Sequence, residues 1–440
     1  MHKSFRYFIK LTEAFIKRFK GIILISILAG TLIFVAMNSL IPRFSSLNTE
    51  KIGVTGRYHT EELPNFIKEM ISRGLTEIND QGFPEASLSS SWETADDGKT
   101  WNFRLKDNVY WQDGLVLTSE HINYNFNDVE LIKNDDKNVT FKLKDPFSPF
   151  PSVVSSPIFK SGLLGTGNWT VKKINLIGGY VQELTLTNAQ KQNMVYRFYP
   201  TTERTKIAFK LGRIDKIVEL DNAEPFDSWK NVKVSKESNK NQVVTVFFNV
   251  KDNILSDKTL RQGLAYAIKK DKYDERALSP ISPNSWSYNP QVKAYDYDPD
   301  RAREIVGGLP EELKNELSLK LSTTPSLLKT AEDISRDWQD VGIKTEIQVV
   351  SVIPTDFQAL LTILDIPDDP DQYSLWHTTQ VGTNISKYSN LRIDKLLEDG
   401  RSKVIFDERR TIYLDFQRYL LEDAPAVFLY HPNYFEVSRN

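Results

Sequence analysis

Cysteine is absent from all 440 residues. Its absence excludes disulfide staples, thiol catalysis, thiolate-ligated zinc and attachment to a lipid through a modified cysteine. Histidine is scarce, and His2, His59, His121, His377 and His431 lack the HExxH spacing of a zinc helix, so neither a metal nor a cofactor is expected. No serine sits in a nucleophile elbow, and no catalytic carboxylate pair stands out among 58 acids, so an enzymatic reading has no residue to rest on. Charge of one sign is not in excess either. With a formal net charge of −2 and acids interleaved with bases, nothing suggests a nucleic-acid partner. Repeats and low-complexity runs are missing.

Long apolar runs are missing as well, apart from one. Lys3, Arg6, Lys10, Lys17, Arg18 and Lys20 precede an uncharged stretch from Gly21 to Ile41 that ends at Pro42-Arg43. As a helix this stretch spans roughly 30 Å, the thickness of a bilayer's hydrocarbon core. The basic residues place residues 1–20 in the cytoplasm and everything after Arg43 outside. The run is longer than a usual signal-peptide core and no small-x-small site follows, so an uncleaved single-pass anchor is expected. Phe5, Phe8, Ile9, Phe15, Ile16 and Phe19 among the lysines read as an amphipathic segment on the inner leaflet or as an extended basic lead-in.

The remainder has ordinary globular composition, 40% hydrophobic and 26% charged, enough for two or three domains. After a polar linker, Lys51 to Thr55 reads as a strand and Glu62 to Arg73 as an amphipathic helix. Residues 91–94 and 100–106 flank Asp96-Asp97-Gly98 as a hairpin, with Trp101, Phe103 and Leu105 alternating against polar neighbours. Thr118 is expected to cap a helix bearing Ile122 and Phe126, and Val139 to Leu143 to form a strand. Val243 to Val250 is a strand of the fully buried kind, and Asp257 caps a helix with Leu260, Leu264 and Ile268 on one face. Ser318 to Ser322, Leu327 to Val341 and Ile343 to Val350 form a parallel strand-helix-strand unit. Helices at 393–401 and 407–421 and a strand at 426–430 complete a mixed α/β to α+β chain.

Gly98-Lys99-Thr100 looks like the end of a phosphate loop, but Glu93 stands where glycine is required and a hairpin explains it better. Gly162 to Gly167 reads as a turn. The richest segment is Asp365-Ile366-Pro367-Asp368-Asp369-Pro370-Asp371-Gln372-Tyr373, with Trp376 and His377 next to it. Its prolines forbid a regular helix or central strand and interrupt the ligand spacing of a calcium loop. It is either a solvated turn or a stiff acidic loop that holds a cation beside aromatic rings.

Several ordered segments carry a family resemblance. They are Leu88 to Gly98 with Trp101 to Leu105, Trp111-Gln112-Asp113-Gly114 and Thr118-Ser119-Glu120, then Phe248-Asn249, Leu260 to Ile268, Tyr297-Asp298-Pro299 with Ala302, and the acidic loop. Asn384, Tyr388-Ser389-Asn390, Ile393 to Leu397, Arg409-Arg410 with Tyr413, and Asp423-Ala424-Pro425 follow. Together they resemble the peptide/nickel-type (family 5) substrate-binding proteins of ABC importers.

The resemblance implies a two-lobed periplasmic-binding-protein clamshell of type II kind, here preceded by one transmembrane helix. The expected divisions are a cytoplasmic segment 1–20, an anchor 21–42, a linker 43–50, lobe one 51–245 with a small subdomain at about 85–150, lobe two 246–412, and a return to lobe one at 413–440. Residues Asn125 to Thr140 are fewer than in typical members, so the small subdomain is trimmed. In peptide-binding members an Asp just before an Asp-Pro-Asp segment pairs with the peptide's α-amino group. That role falls on Asp365, with Asp368 the competing register because the spacing here has one residue more. Tyr373, Trp376, His377, Trp92 and Trp111 are the accompanying cleft candidates, each equally readable as a core side chain. The implied partners are a peptide, an ABC permease and ATPase, and the membrane, with the protein itself a monomer. An oligosaccharide or nickel chelate as ligand, or a tethered scaffold or sensor without an importer, are the alternatives.

Overall fold

The computed structural model describes residues 17–22, 25–26, 28–32, 49–315 and 317–439. Of the expected membrane segment, Gly21, Ile22, Ile25, Ser26 and Leu28 to Leu32 are described and helical, with Ile22, Ile25, Leu28 and Leu32 exposed. The rest of that segment, the residues before Lys17 expected in the cytoplasm and most of the linker lie outside the described residues. Among the described residues, no helix is long and apolar enough to cross a membrane.

Two large sheets organise the chain. The first has seven strands in the order Val232–Ser238, Asn433–Arg439, Lys216–Leu220, Thr49–Thr55, Asn193–Tyr199, Tyr180–Thr187, Thr170–Ile177. The second has five, in the order Lys344–Val349, Ser318–Thr323, Ala359–Asp365, Gln242–Phe248, Ala426–Tyr430. A four-stranded sheet built from Ser89–Thr94, Thr100–Leu105, Asn138–Leu143 and Val129–Lys133 forms a smaller unit on the first lobe.

The strand Gln242–Phe248 shows why a continuous apolar run suits the middle of a sheet. Val244, Val246 and Phe248 face a core holding Leu264, Ile334 and Trp338, while Val243 and Phe247 face another holding Trp376, Tyr413 and Phe416. Helices cover both faces, so each such side chain is withdrawn from water at about 1.5–3 kcal/mol apiece. The helix Lys258–Ala267 starts as expected, with the Asp257 carboxylate accepting from the Leu260 amide at 2.8 Å. Ser318–Thr323 and Lys344–Val349 pair in parallel across the helix Leu328–Gln339.

Two expectations fail for visible reasons. The helix after Thr118 is a single 3-10 turn, Ser119–His121, followed by extended chain. Ile122, Tyr124 and Phe126 alternate with Asn123, Asn125 and Asn127, and the three apolar side chains pack into the small sheet's core beside Phe141 and Phe150. That is a period of two, which a helix cannot place on one face. The return to lobe one also comes later than residue 413. The helix Phe406–Asp423 and the strand Ala426–Tyr430 pack with the second sheet, and the chain crosses back at His431-Pro432. The outward crossing is at Asn239 to Asn241, ahead of residue 246. The two crossings lie side by side, the Asn239 amide donating to the Pro432 carbonyl at 2.9 Å and His431 Nδ1 lying 2.7 Å from the Gln242 carbonyl. This paired connection, called the hinge below, is where the chain passes between the two large sheets.

Candidate ligand-binding site

A cavity of about 500 Å³ lies between the lobes next to the hinge. Lobe one supplies Glu69 from the helix Asn65–Ile71, then Ser72, Arg73 and Gly74 from its exit. It also supplies Thr76, Glu77 and Ile78 from the strand Thr76–Ile78, the turn after it, and Ser87, Ser155 and Pro157. Lobe two supplies Ser282, Asn284, Ser285 and Asp368, and the hinge supplies Asn241. Gly74 is required by close approach, since a Cβ there would stand 2.2 Å from the Ser155 carbonyl oxygen.

The turn Asn79 to Phe83 closes one side. Asn79 Oδ1 accepts from the amides of Gln81 at 2.9 Å and Phe83 at 3.0 Å, and Gly82 takes φ +77° at the bend. The turn rests on lobe two, with the Trp286 amide donating to the Gln81 carbonyl at 3.1 Å. Phe83 sits between Trp286, 5.9 Å away, and Phe406, 5.3 Å away.

The four aspartates of the acidic loop have four different fates. Asp369 is buried and paired with Arg409, whose Nη1 donates to Oδ2 at 2.9 Å. Asp371 is held by Arg401 at 2.7 Å, although burial still pushes its carboxyl above the ordinary value. Asp365 ends the strand Ala359–Asp365 and accepts from Gln242 Nε2 at 2.7 Å, outside the cavity lining. Asp368 lines the cavity and has an amide partner only, Asn241 Nδ2 at 3.3 Å.

Water reaches Asp368 and Glu69 through the cavity, yet protein surrounds much of each. Loss of solvent, and then the charge of Asp369, raises the Asp368 carboxyl above its ordinary value. Loss of solvent, and then the charge of Asp368, raises Glu69, outweighing the neighbouring Lys68. Beside the hinge, burial raises the Tyr434 phenol, and the carboxylates of Glu219, Asp365 and Asp221 add to the effect.

The other expected cleft residues are placed elsewhere. Trp376 is fully buried with Nε1 donating to Gln372 Oε1 at 2.8 Å, packed on Phe247 and Phe428 in the lobe-two core. Trp111 is buried in the small subdomain, edge-on to His121 at 5.6 Å, and Trp92 stacks on Phe103. Tyr373 lies between His377, at 4.0 Å, and the guanidinium of Arg401, at 4.1 Å. His377 is 4% exposed and contacts Thr379 at 2.8 Å. Trp376, Tyr373 and His377 pack beside the loop in lobe two, Trp92 and Trp111 belong to the small subdomain, and the cavity surface itself carries no aromatic ring. The serine- and asparagine-rich loop Ser279 to Asn289 was the unread signal for part of that surface. Glu69 had none, being one polar position on an amphipathic helix.

Among the described residues, no cluster of His, Asp or Glu is arranged to hold a metal ion.

This two-lobed architecture has many solved counterparts. A substrate-binding protein of an ABC transporter from Listeria monocytogenes superposes with a TM-score of 0.74 at 19% identity, covering 89% of this chain and 94% of that one. A protein of Campylobacter jejuni solved in complex with Ni(L-His) gives 0.72 at 19% identity, with the same coverage of 89% and 94%. In sequence, the chain is 22% identical to an oligopeptide-binding protein of Bacillus subtilis over 86% of this chain and 83% of that protein. It is also 22% identical to a dipeptide-binding protein of Escherichia coli, over 80% and 82%. Residues 84–384 match the profile described as bacterial extracellular solute-binding proteins, family 5 middle. With well over half its length inside that profile, this chain belongs to the family 5 extracellular solute-binding proteins, and it is a binding component of transport rather than an enzyme.

Proposed function

We propose that the protein captures short peptides outside the cytoplasm, in the cavity between its lobes, and hands them to the permease and ATPase of an ABC importer. The observation that carries this reading is Asp368. Alone among the four acidic-loop aspartates it lines the cavity, and it has no cationic partner there. A peptide's α-amino group supplies that cation, with charge-assisted hydrogen bonds to the carboxylate. The expected register at Asp365 is the less favoured one, because that side chain is engaged with Gln242.

The paired hinge and the contacts of Trp286 with Gln81 and Phe83 support opening and closing around a ligand. Relatives named for oligopeptide and dipeptide binding support peptide as the ligand class. The basic residues before Gly21, with the exposed apolar side chains of the described helical residues, support a tether in the membrane. The nickel chelate in the Campylobacter jejuni protein supplies the second reading.

Isothermal titration of the full chain in detergent, with di- to pentapeptides and separately with nickel and histidine, separates the two. The peptide reading expects peptide heats that disappear on blocking the α-amino group by acetylation. Heats with the nickel mixture alone would replace it.

A further inference from the structure

Taking the interlobe cavity as the peptide site, we infer that it selects hydrophilic ligands bearing a second positive charge beside the α-amino group, read by Glu69 of lobe one together with Asp368 of lobe two. Most of the lining residues are polar, among them five serines, three asparagines and Thr76, with Ile78 and Pro157 the apolar side chains. An apolar ligand side chain entering it would strip water from these groups and gain little contact in return. The charged lining is lopsided, with the carboxylates of Glu69, Glu77, Asp80 and Asp368 against the guanidinium of Arg73.

None of the four carboxylates has an ion-pair partner among the described residues. Glu77 accepts from Ser87 Oγ at 3.2 Å and Asp368 from Asn241, both neutral donors. Glu219, Asp221 and Asp365 continue the negative potential around Tyr434 on the hinge side. A cleft lined by one sign of charge between low-dielectric walls concentrates ligands of the opposite sign.

A single α-amino group satisfies Asp368 and leaves Glu69 uncompensated. The two carboxylates come from opposite lobes and line the same cavity, and the charge of Asp368 is felt at Glu69, so in the empty protein they oppose closure. A ligand with cations toward both removes that repulsion and draws the lobes together, which couples ligand charge to the closed state. Arg73, on the same surface and without an ion-pair partner among the described residues, is left for the ligand's carboxylate end.

The test is titration of full-length protein in detergent with lysyl-seryl-serine and with norleucyl-seryl-serine, which share length and stem and differ by the side-chain ammonium. The expected result is a preference for the lysyl peptide of about tenfold to a hundredfold, shrinking as salt is raised. Glu69→Gln should collapse that ratio, and Asp80→Asn should reduce it by a smaller step. Glu61→Gln, outside the cavity, should preserve it. Thermal melts accompany each variant to confirm folding. Equal affinities in the wild type would overturn the selectivity while leaving peptide capture standing. A full preference surviving in Glu69→Gln would overturn the role of that residue. Failure of both peptides to bind would overturn peptide capture itself, and the selectivity with it.

Discussion

Asp368 and Asp369 are neighbours of the same chemical type with opposite surroundings. Asp369 points into lobe two, where Arg409 grips it, donates Nε to the Gly400 carbonyl at 2.8 Å and stacks near Trp286 and Tyr413. Asp368 lines the interlobe cavity with only an amide for company among the described residues. Pro367 and Pro370 bracket the pair and hold the loop in the geometry that sends one side chain each way. A run of acids is therefore two devices here, one that fastens the loop to its lobe and one that the fastening presents to a ligand.

That contrast can be broken at either residue. The largest effect belongs to Arg409→Met. Removing one partner of a buried ion pair leaves the other charge unpaired and costs about 3–5 kcal/mol. Urea denaturation followed by tryptophan fluorescence should show that loss, in a transition of lobe two. Asp368→Asn should behave in the opposite way. It should leave the denaturation curve nearly unchanged while weakening peptide binding by about 1.5–3 kcal/mol, the worth of a hydrogen bond to a charged group. Asp365→Asn should weaken binding less. If instead Asp365→Asn abolishes binding and Asp368→Asn does not, the presenting role moves to the residue tied to Gln242.

The aromatic clamp gives a smaller, kinetic effect. Phe83 leans on Trp286 and Phe406 across the lobe boundary, and such ring contacts are worth about 0.5–1.5 kcal/mol beyond their buried area. Phe83→Ala should therefore weaken affinity by roughly threefold to tenfold, mainly through faster dissociation, because the contacts bridge the lobes when they are closed. Stopped-flow displacement measures the rate directly. An unchanged off-rate would make the clamp a fixed part of the interface instead of a latch on ligand release.

How much of this was legible beforehand depends on where each determinant sits. The strand Gln242–Phe248 and the capped helix after Asp257 carry their own signals, one in a run buried on both faces and the other in a carboxylate beside free amides. The acidic loop was legible as a feature but not by residue, since the identities of Arg409 and Arg401 as partners depend on a helix pairing some thirty to forty positions away. The three strands from Thr170 to Tyr199 went unread, although they form one flank of the large sheet. Glu69 is the hardest case. Its meaning comes from Asp368, which only the closing of the two lobes brings across the cavity.

The smallest expected effect is on pH, and its sign follows from those two carboxylates. In the empty protein both carboxyl pKa values are raised, Asp368 by lost solvent and Asp369, Glu69 by lost solvent and Asp368. Lys68 pulls Glu69 the other way, while Arg73, Glu77 and Asp80 complete the charged lining. A bound cation stabilises the ionised forms and so lowers both values. Binding must then release protons wherever the empty site is partly protonated. Affinity for a cationic peptide is therefore complete above the raised values and falls as pH drops through them. A several-fold weakening as the pH is lowered from neutral is expected, and titrations in buffers of different ionisation enthalpy should detect the released protons. In Asp368→Asn the slope should flatten while the fold keeps its own acid sensitivity, and a slope unchanged in that variant would assign the proton linkage to the lobe-anchoring half of the loop.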